Sequence, residues 1–334
     1  MGYEIEMLDL GNADAIIIRY FNNKGYEYVV VIDAGNKNDG EKVVNQINKY
    51  TNQKYIDLAI CTHPDNDHIG GFFYVIENVR IDKFWIHDPA NHVDISEVRR
   101  AISEASLTKK MNKITESIDN NISLLKIINE KGIEHEEPFK GLKHPFVPLT
   151  VLGPSVYFYE NLLKNFRDVK GLFKEEEILE YDEKDEYEDG YQYLFESLSN
   201  ALDEEDDKSS ENNSSTIIMF QPENGKKYLF TADTGPLALQ KVVDDFPYLT
   251  KEIDWLDVPH HGSKKNLNSN LISHFSPKTA YVSGKGKRKY PSQAVVNALK
   301  KVGSTVYSTA KSNGNIIHYV DIAPREGYSN AEGH

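Results

Sequence analysis

The chain has 334 residues, 39% of them hydrophobic, which is enough for one large core or two small ones. Its single cysteine, Cys61, excludes an intramolecular disulfide framework and any cysteine-rich zinc finger, and fits a reducing compartment, with the cytoplasm as the expectation. The formal charge of −14 excludes a chain that is basic throughout, and no apolar run approaches the roughly 18 residues that cross a bilayer, so no membrane contact is expected. The opening MGYEIEMLDLG lacks the basic-then-apolar order of a leader. Taken in chain order, short apolar runs predict strands over 16–20, 28–32 and 56–61. Residues 94–131 repeat Ile95, Val98, Ile102 and then Ile114, Ile118, Ile122, Leu125 at three- and four-residue steps, which predicts a helical insertion over 92–140.

Residues 156–214 read as an acidic, partly disordered insertion. Within it, 174–190 holds 10 acids against 2 lysines and 201–213 holds 6 against 1; 203–215 is poor in core-forming residues. Tyr157, Phe158, Tyr159, Tyr191, Tyr193 and Phe195 predict some helix and packing upstream. Strands are predicted again over 216–220, 227–231, 255–258, 279–283 and 316–320, with turns at DAG (33–35), ENG (223–225) and NGN (313–315). From 259 onward the chain carries 11 Lys or Arg against 3 Asp or Glu, a basic C-terminal part. The two halves of strands and helices predict one α/β domain over 1–334, a two-sheet sandwich carrying both insertions.

The chemistry concentrates at strand ends. THPDNDHIGG (62–71) follows the apolar IDLAIC and places His63 and Asp65 two apart on an extended segment, on one side of the chain, with Asp67 and His68 beginning a helix. The Gly70-Gly71 pair allows a tight turn there. Two carboxylates and two imidazoles within six positions repel or compete unless a cation joins them. A lone His-x-Asp is commonly a surface pair and Asp-Asn-Asp a solvated loop; the four together at the end of a buried strand point to a metal site. LFTADTG places Asp233 at another strand end, where an ordinary turn aspartate is the alternative. LDVPHHGS places His260 and His261 at a third, and burying both imidazoles requires partners for four ring nitrogens.

HPDNDHIGG, TADTG, PHHGS and GNADAIIIRY…VIDAG together resemble the metallo-β-lactamase fold, in the branch similar to the ComEC-type metallohydrolase domain. The resemblance implies an αββα sandwich with a dinuclear site at one edge of the packed sheets. It implies His63, Asp65, Asp67, His68, Asp233 and His261 as metal ligands, His260 facing substrate, and two divalent ions, zinc or manganese, with magnesium admissible because Asp65 stands where most of the superfamily has histidine. NNSSTIIMF resembles the family's Asn-x-Ser entry into a strand, which adds Asn213 and Ser215 on the substrate side. Two departures are visible: Lys289-Tyr290-Pro291 replaces the usual Gly-His-Pro, passing that role to Tyr290, and no third histidine for the first ion stands out, His135 and His144 both reading as surface residues.

Catalytic roles follow for Asp67, which orients the nucleophile, and for His260 or Tyr290, which protonates the leaving oxygen. Lys264 and Lys265 directly after HHGS, and Lys285, Lys287, Arg288 and Lys289 after the next strand, place cations near the metals and favour a phosphodiester such as DNA or RNA, with Ser263 beside them on the substrate side. The alternative for these lysines is a solvated rim. Three functions are therefore expected in order: a phosphodiesterase, most simply a nuclease; a small-nucleotide or other phosphoester hydrolase; and a partner-regulated effector of a bacterial defence system, docking through the acidic insertion.

Overall fold

In the computed structural model, residues 2–92, 109–167, 201–203, 205–284, 290–312, 314–325 and 333–334 are described. Strands β1 (Gly2–Met7), β2 (Ile16–Phe21), β3 (Glu27–Ile32), β4 (Ile56–Ile60), β5 (Ile81–Trp85) and β6 (Glu134–Glu136) alternate with helices α1 (Gly40–Tyr50), α2 (Asn66–Ile69), α3 (Phe72–Asn78) and α4 (Lys109–Glu130). The second half carries β7 (Leu149–Gly153), α5 (Val156–Arg167), α6 (Ser210–Asn213), β8 (Ile217–Phe220), β9 (Tyr228–Phe230), α7 (Pro236–Asp245), β10 (Trp255–Asp257), α8 (Ser269–Phe275), β11 (Thr279–Val282), α9 (Gln293–Lys301), β12 (Thr305–Ser308), α10 (Thr309–Ser312) and β13 (Ile316–Val320).

Among the described residues, β13-β1-β2-β3-β4-β5-β6 form a seven-stranded sheet and β12-β11-β10-β9-β8-β7 a six-stranded one. Each strand's period-2 alternation sends one set of side chains between the sheets. Tyr3, Ile5, Ile18, Val30, Leu58 and Trp85 meet Val151, Ile218, Phe220, Tyr228, Phe230 and Trp255 there. The opposite faces are covered by helices: Val43, Ile47, Phe72 and Leu124 lie over the first sheet, and Leu239, Leu271, Phe275 and Leu299 over the second. The arrangement is an αββα sandwich. Tyr3 and Tyr228 share a hydroxyl hydrogen bond of 2.6 Å across the sheets, so the polar ends of two buried rings satisfy each other.

The strand expected at 316–320 closes the first sheet by pairing antiparallel with β1. β1 itself, β5, β6, β7 and β12 escaped the sequence reading. In β1 the cause is plain: Glu4 and Glu6 look like a solvated face, yet both are fully buried. Arg19 reaches Glu4 at 3.0 Å and Arg325, from beyond β13, reaches Glu6 at 2.8 Å and also contacts Glu4. Of the helical insertion, α4 is described and 93–108 lies outside the described residues. The acidic run 174–190 lies outside them too, whereas α5 packs against the second half and 205–215 is hydrogen-bonded to it through Asp207 and Asn213. Among the described residues no helix is long and apolar enough to cross a membrane.

Candidate metal centre

The parallel strands β3, β4, β9 and β10 end at one edge of the sandwich, and their following loops are laced together by the backbone. Asp14 N–H donates to Asp67 C=O at 3.1 Å, Gly35 N–H to Asp14 C=O at 2.8 Å, Ala34 N–H to His68 C=O at 2.9 Å, and His260 N–H to Ala232 C=O at 3.1 Å. Gly71 is required by this closeness: a Cβ there would stand 1.9 Å from Ala34 O. Asp33, Ala232, His260 and His261 all hold positive φ, between 47° and 58°, a region costly for residues other than glycine and found where neighbouring structure imposes it.

Three histidines are oriented in one manner. Asp33 Oδ2 accepts His68 Nδ1–H at 2.8 Å, and its two oxygens also accept Thr62 N–H (2.8 Å) and Thr62 Oγ1–H (2.6 Å). Thr62 Oγ1, its own proton given to Asp33, accepts His63 Nδ1–H at 3.1 Å. His261 Nδ1 shares a 2.9 Å hydrogen bond with Ser283 Oγ. Each imidazole is thereby anchored through Nδ1, and the Nε2 atoms of His63, His68 and His261 are buried without a hydrogen-bond partner, as are Asp14 Oδ1 and Asp233 Oδ1. Asp14, His68, Asp233 and His261 each place one ligating atom within 4.8 Å of the others. His68 Nε2 stands 3.4 Å from Asp233 Oδ1 and 3.7 Å from Asp14 Oδ2, and His261 Nε2 3.6 Å from Asp67 Oδ2. The His63 and His68 ring centroids are 4.0 Å apart.

Leaving so many buried polar atoms unpaired costs on the order of 1–3 kcal/mol each, whereas a divalent cation bound among them satisfies several at once. Charge points the same way. Burial opposes protonation of His68, but Asp233 and Asp33 outweigh it and raise its pKa well above the ordinary value. His261 is pushed up to about 9 against the same burial by Asp14 and Asp67. Asp233 is held well below the usual carboxylate range, burial being overcome by His260 and His68. Asp257, buried at the end of β10, is raised well above that range by desolvation and by Asp14. A pocket this rich in carboxylate calls for positive charge, and its donor set of imidazole and carboxylate is compatible with a divalent metal ion.

The structure brings His63, Asp67, His68, Asp233 and His261 to this centre, with Asp65 3% exposed beside His63 at the start of α2. His260 stands at its mouth. Its Nε2 is 3.7 Å from Asp233 Oδ2, its Nδ1 lies 3.4 Å from Asp207 Oδ2 and 3.1 Å from Asn212 Nδ2, and the Tyr290 ring stacks on it at 5.9 Å. Asp207, from the end of the acidic insertion, also accepts Asn212 Nδ2–H (2.6 Å) and Asn266 Nδ2–H (3.0 Å). Ser263 is buried beside His260, and Lys264 lies half-buried just beyond it. Asn213 is placed differently from the substrate side expected of it: its Nδ2 donates to Asp207 C=O and Ser209 C=O and its Oδ1 accepts Ala238 N–H, tying the insertion to α7. Ser215 is fully buried. Lys285 and Lys287 lie outside the described residues. His144 caps the loop before β7, accepting Phe146 and Val147 N–H, and His135 sits on β6.

Sequence reasoning missed Asp14, Asp33, Asp207, Asp257, Ser283 and His87. The first two stand in GNADAI and VIDAG, where an aspartate directly flanking an apolar strand was the available signal. His87 is buried behind the centre, its Nε2 3.3 Å from Thr216 Oγ1 and its ring stacked on Tyr159 at 4.5 Å. Burial lowers its pKa from 6.5 to about 3. Between those values the unfolded chain binds a proton that the folded chain refuses, so stability falls as pH falls through this window, by up to about 1.4 kcal/mol per unit for this group. Urea unfolding at pH 7 and pH 5 is expected to show a smaller acid loss in His87→Gln than in the unsubstituted chain; equal losses would remove His87 as a source.

Residues 8–161 match the family described as the metallo-beta-lactamase superfamily. The chain is 24% identical over 330 residues to ComE operon protein 3 of Bacillus subtilis (strain 168), covering 94% of this chain and 32% of that protein; it thus spans about a third of the relative's length. Among solved structures it is similar to a long form RNase Z from yeast (12% identity, 85% of this chain and 36% of that chain, TM-score 0.37) and to a metallo beta lactamase from Hirschia baltica (12% identity, 87% and 86%, TM-score 0.31).

Proposed function

We propose that this chain, with its match to the metallo-β-lactamase superfamily, is a metal-dependent hydrolase of phosphodiester bonds, acting on nucleic acid. The observation that carries this reading is the convergence of unpartnered Nε2 atoms of His63, His68 and His261 with Asp14 and Asp233 oxygens at one sheet edge. His63, Asp65, Asp67, His68, Asp233 and His261 would hold the divalent ions, which when bound would supply activation of water and polarisation of a phosphoryl oxygen. The remaining work belongs to side chains. Asp67 Oδ2 orients the attacking water. His260, its protonated Nδ1 facing the Asp207 carboxylate that Asn212 also holds, and its ring backed by Tyr290, delivers a proton from Nε2 to the leaving oxygen. The basic C-terminal part supports a polyanionic substrate over a neutral amide or thioester, since 11 Lys or Arg stand against 3 Asp or Glu beyond residue 258.

The test is purified protein with Mn²⁺, Mg²⁺ or Zn²⁺ against plasmid, single-stranded DNA, RNA and bis(p-nitrophenyl) phosphate. A nuclease cleaves polymer in a manner that weakens steeply with salt, because phosphate contacts release counterions. Cleavage of the small diester with little salt dependence, and none of polymer, transfers the reading to a small-nucleotide hydrolase. No turnover of any diester with any of the three ions rejects it.

A further inference from the structure

We propose that Asp14 is itself a ligand of this centre, and that its carboxylate sets the preference of the adjacent His68–His261 position toward manganese or magnesium over zinc; this rests on the reading of the site given above. Nothing in the metal-binding motifs at 62–71, 231–235 and 259–263 includes it. Asp14 lies in the turn ahead of β2, 7% exposed, and its backbone is gripped from both sides by the loops that carry the other ligands, through Asp67 C=O and Gly35 N–H. The turn therefore cannot be displaced without disturbing them.

The contrast with Asp33 decides between a structural and a ligating role. Both aspartates are buried in the same pocket. Asp33 spends its oxygens on Thr62 and His68 at 2.6–2.8 Å, the distances of a carboxylate kept for orientation. Asp14 Oδ1 has no hydrogen-bond partner. Its oxygens stand 3.7 Å from His261 Nδ1 and 3.7 Å from His68 Nε2, beyond hydrogen-bond reach. Two donors bound to one ion by bonds of about 2.1 Å are themselves about 3.0 Å apart in octahedral and about 3.4 Å apart in tetrahedral geometry. The spacings from His68 Nε2, 3.4 Å to Asp233 and 3.7 Å to Asp14, are thus close to edges of a coordination polyhedron. His261 Nδ1 is bonded to Ser283 at 2.9 Å, so Asp14 receives no hydrogen bond from that ring.

With Asp14 included, the position is lined by three carboxylates (Asp14, Asp67, Asp233) and two imidazoles (His68, His261). An oxygen-rich set of this kind suits hard ions, whereas replacement of one carboxylate by imidazole restores the nitrogen-rich set zinc favours.

The experiment uses the full chain, stripped of metal with chelator and without substrate. Mn²⁺ and Zn²⁺ are titrated against the unsubstituted chain, Asp14→Asn, Asp14→His and Asp67→Ala, following the rise in melting temperature and, for Mn²⁺, loss of the free-ion electron paramagnetic resonance signal. Circular dichroism before metal addition confirms folding, and either Asp14 variant alone suffices. The expected result is Mn²⁺ affinity reduced on the order of 10- to 100-fold in Asp14→Asn, with a smaller loss for Zn²⁺, and a swing of preference toward Zn²⁺ in Asp14→His. Unchanged Mn²⁺ affinity and an unchanged Mn²⁺/Zn²⁺ ratio in a folded Asp14 variant overturn this inference and leave the hydrolase reading standing. Failure of the unsubstituted chain to bind any of these ions overturns both.

Discussion

Asp233→Asn is expected to remove the proposed phosphodiester hydrolysis while the chain stays folded. The side chain is 3% exposed and faces two imidazoles, Oδ1 at 3.4 Å from His68 Nε2 and Oδ2 at 3.7 Å from His260 Nε2. Its own C=O accepts Asn266 Nδ2–H at 3.0 Å, so the backbone of the loop is fixed independently of the carboxylate. Asparagine keeps the shape and deletes the charge that balances His68, His260 and any cation beside them. A loss on the order of 10³-fold or more in kcat/KM, about 4 kcal/mol of transition-state stabilisation, is expected. Steady-state kinetics with a chromogenic phosphodiester, beside circular dichroism, measure it; a folded variant within tenfold of the unsubstituted chain would place Asp233 outside the chemistry.

The second large effect concerns the layer between the sheets. Trp255→Ala is expected to cost about 3–5 kcal/mol, because a fully buried indole is replaced by a cavity that rigid neighbours cannot fill. Those neighbours are rings themselves: Phe230 at 5.0 Å, Tyr281 at 5.3 Å and Tyr228 at 6.4 Å between centroids. Trp255 begins the strand that ends in Asp257 and leads to His260 and His261, so the loss also loosens the mount of two candidate site histidines. Urea unfolding followed by circular dichroism gives the free energy, and Trp255→Phe, which retains an aromatic ring, should lose much less. Equal midpoints for Trp255→Ala and the unsubstituted chain would contradict the sandwich core described above.

What the sequence made legible has a physical pattern. Local signals succeeded: the apolar runs of β2, β3, β4, β8 and β11, and the ligand-bearing loop behind IDLAIC, declare themselves within a few residues. Features that depend on a distant partner did not. β1 reads as polar because the arginines that neutralise Glu4 and Glu6 are Arg19 and Arg325, the latter more than 300 residues away. Asp14 and Asp33 look like turn residues until the fold sets one free and the other against Thr62 and His68. Asp207 falls in a stretch whose composition suggests a solvated tail, yet it is fastened by Ser209, Asn212 and Asn266 at the mouth of the centre. Asn213, taken for a substrate contact by family likeness, is consumed by backbone partners that no motif reveals.

The pairing of β13 with β1 governs how this molecule can be taken apart. A fragment ending near residue 161 would retain most of one layer but expose an open flank at β1, with Glu4 and Glu6 deprived of Arg325 in an apolar setting. Because β13 follows β1 by about 310 residues, completion of the first layer is a long-range event and not the closing of an autonomous N-terminal unit. Dissection of the two layers for separate study is therefore expected to yield aggregating halves.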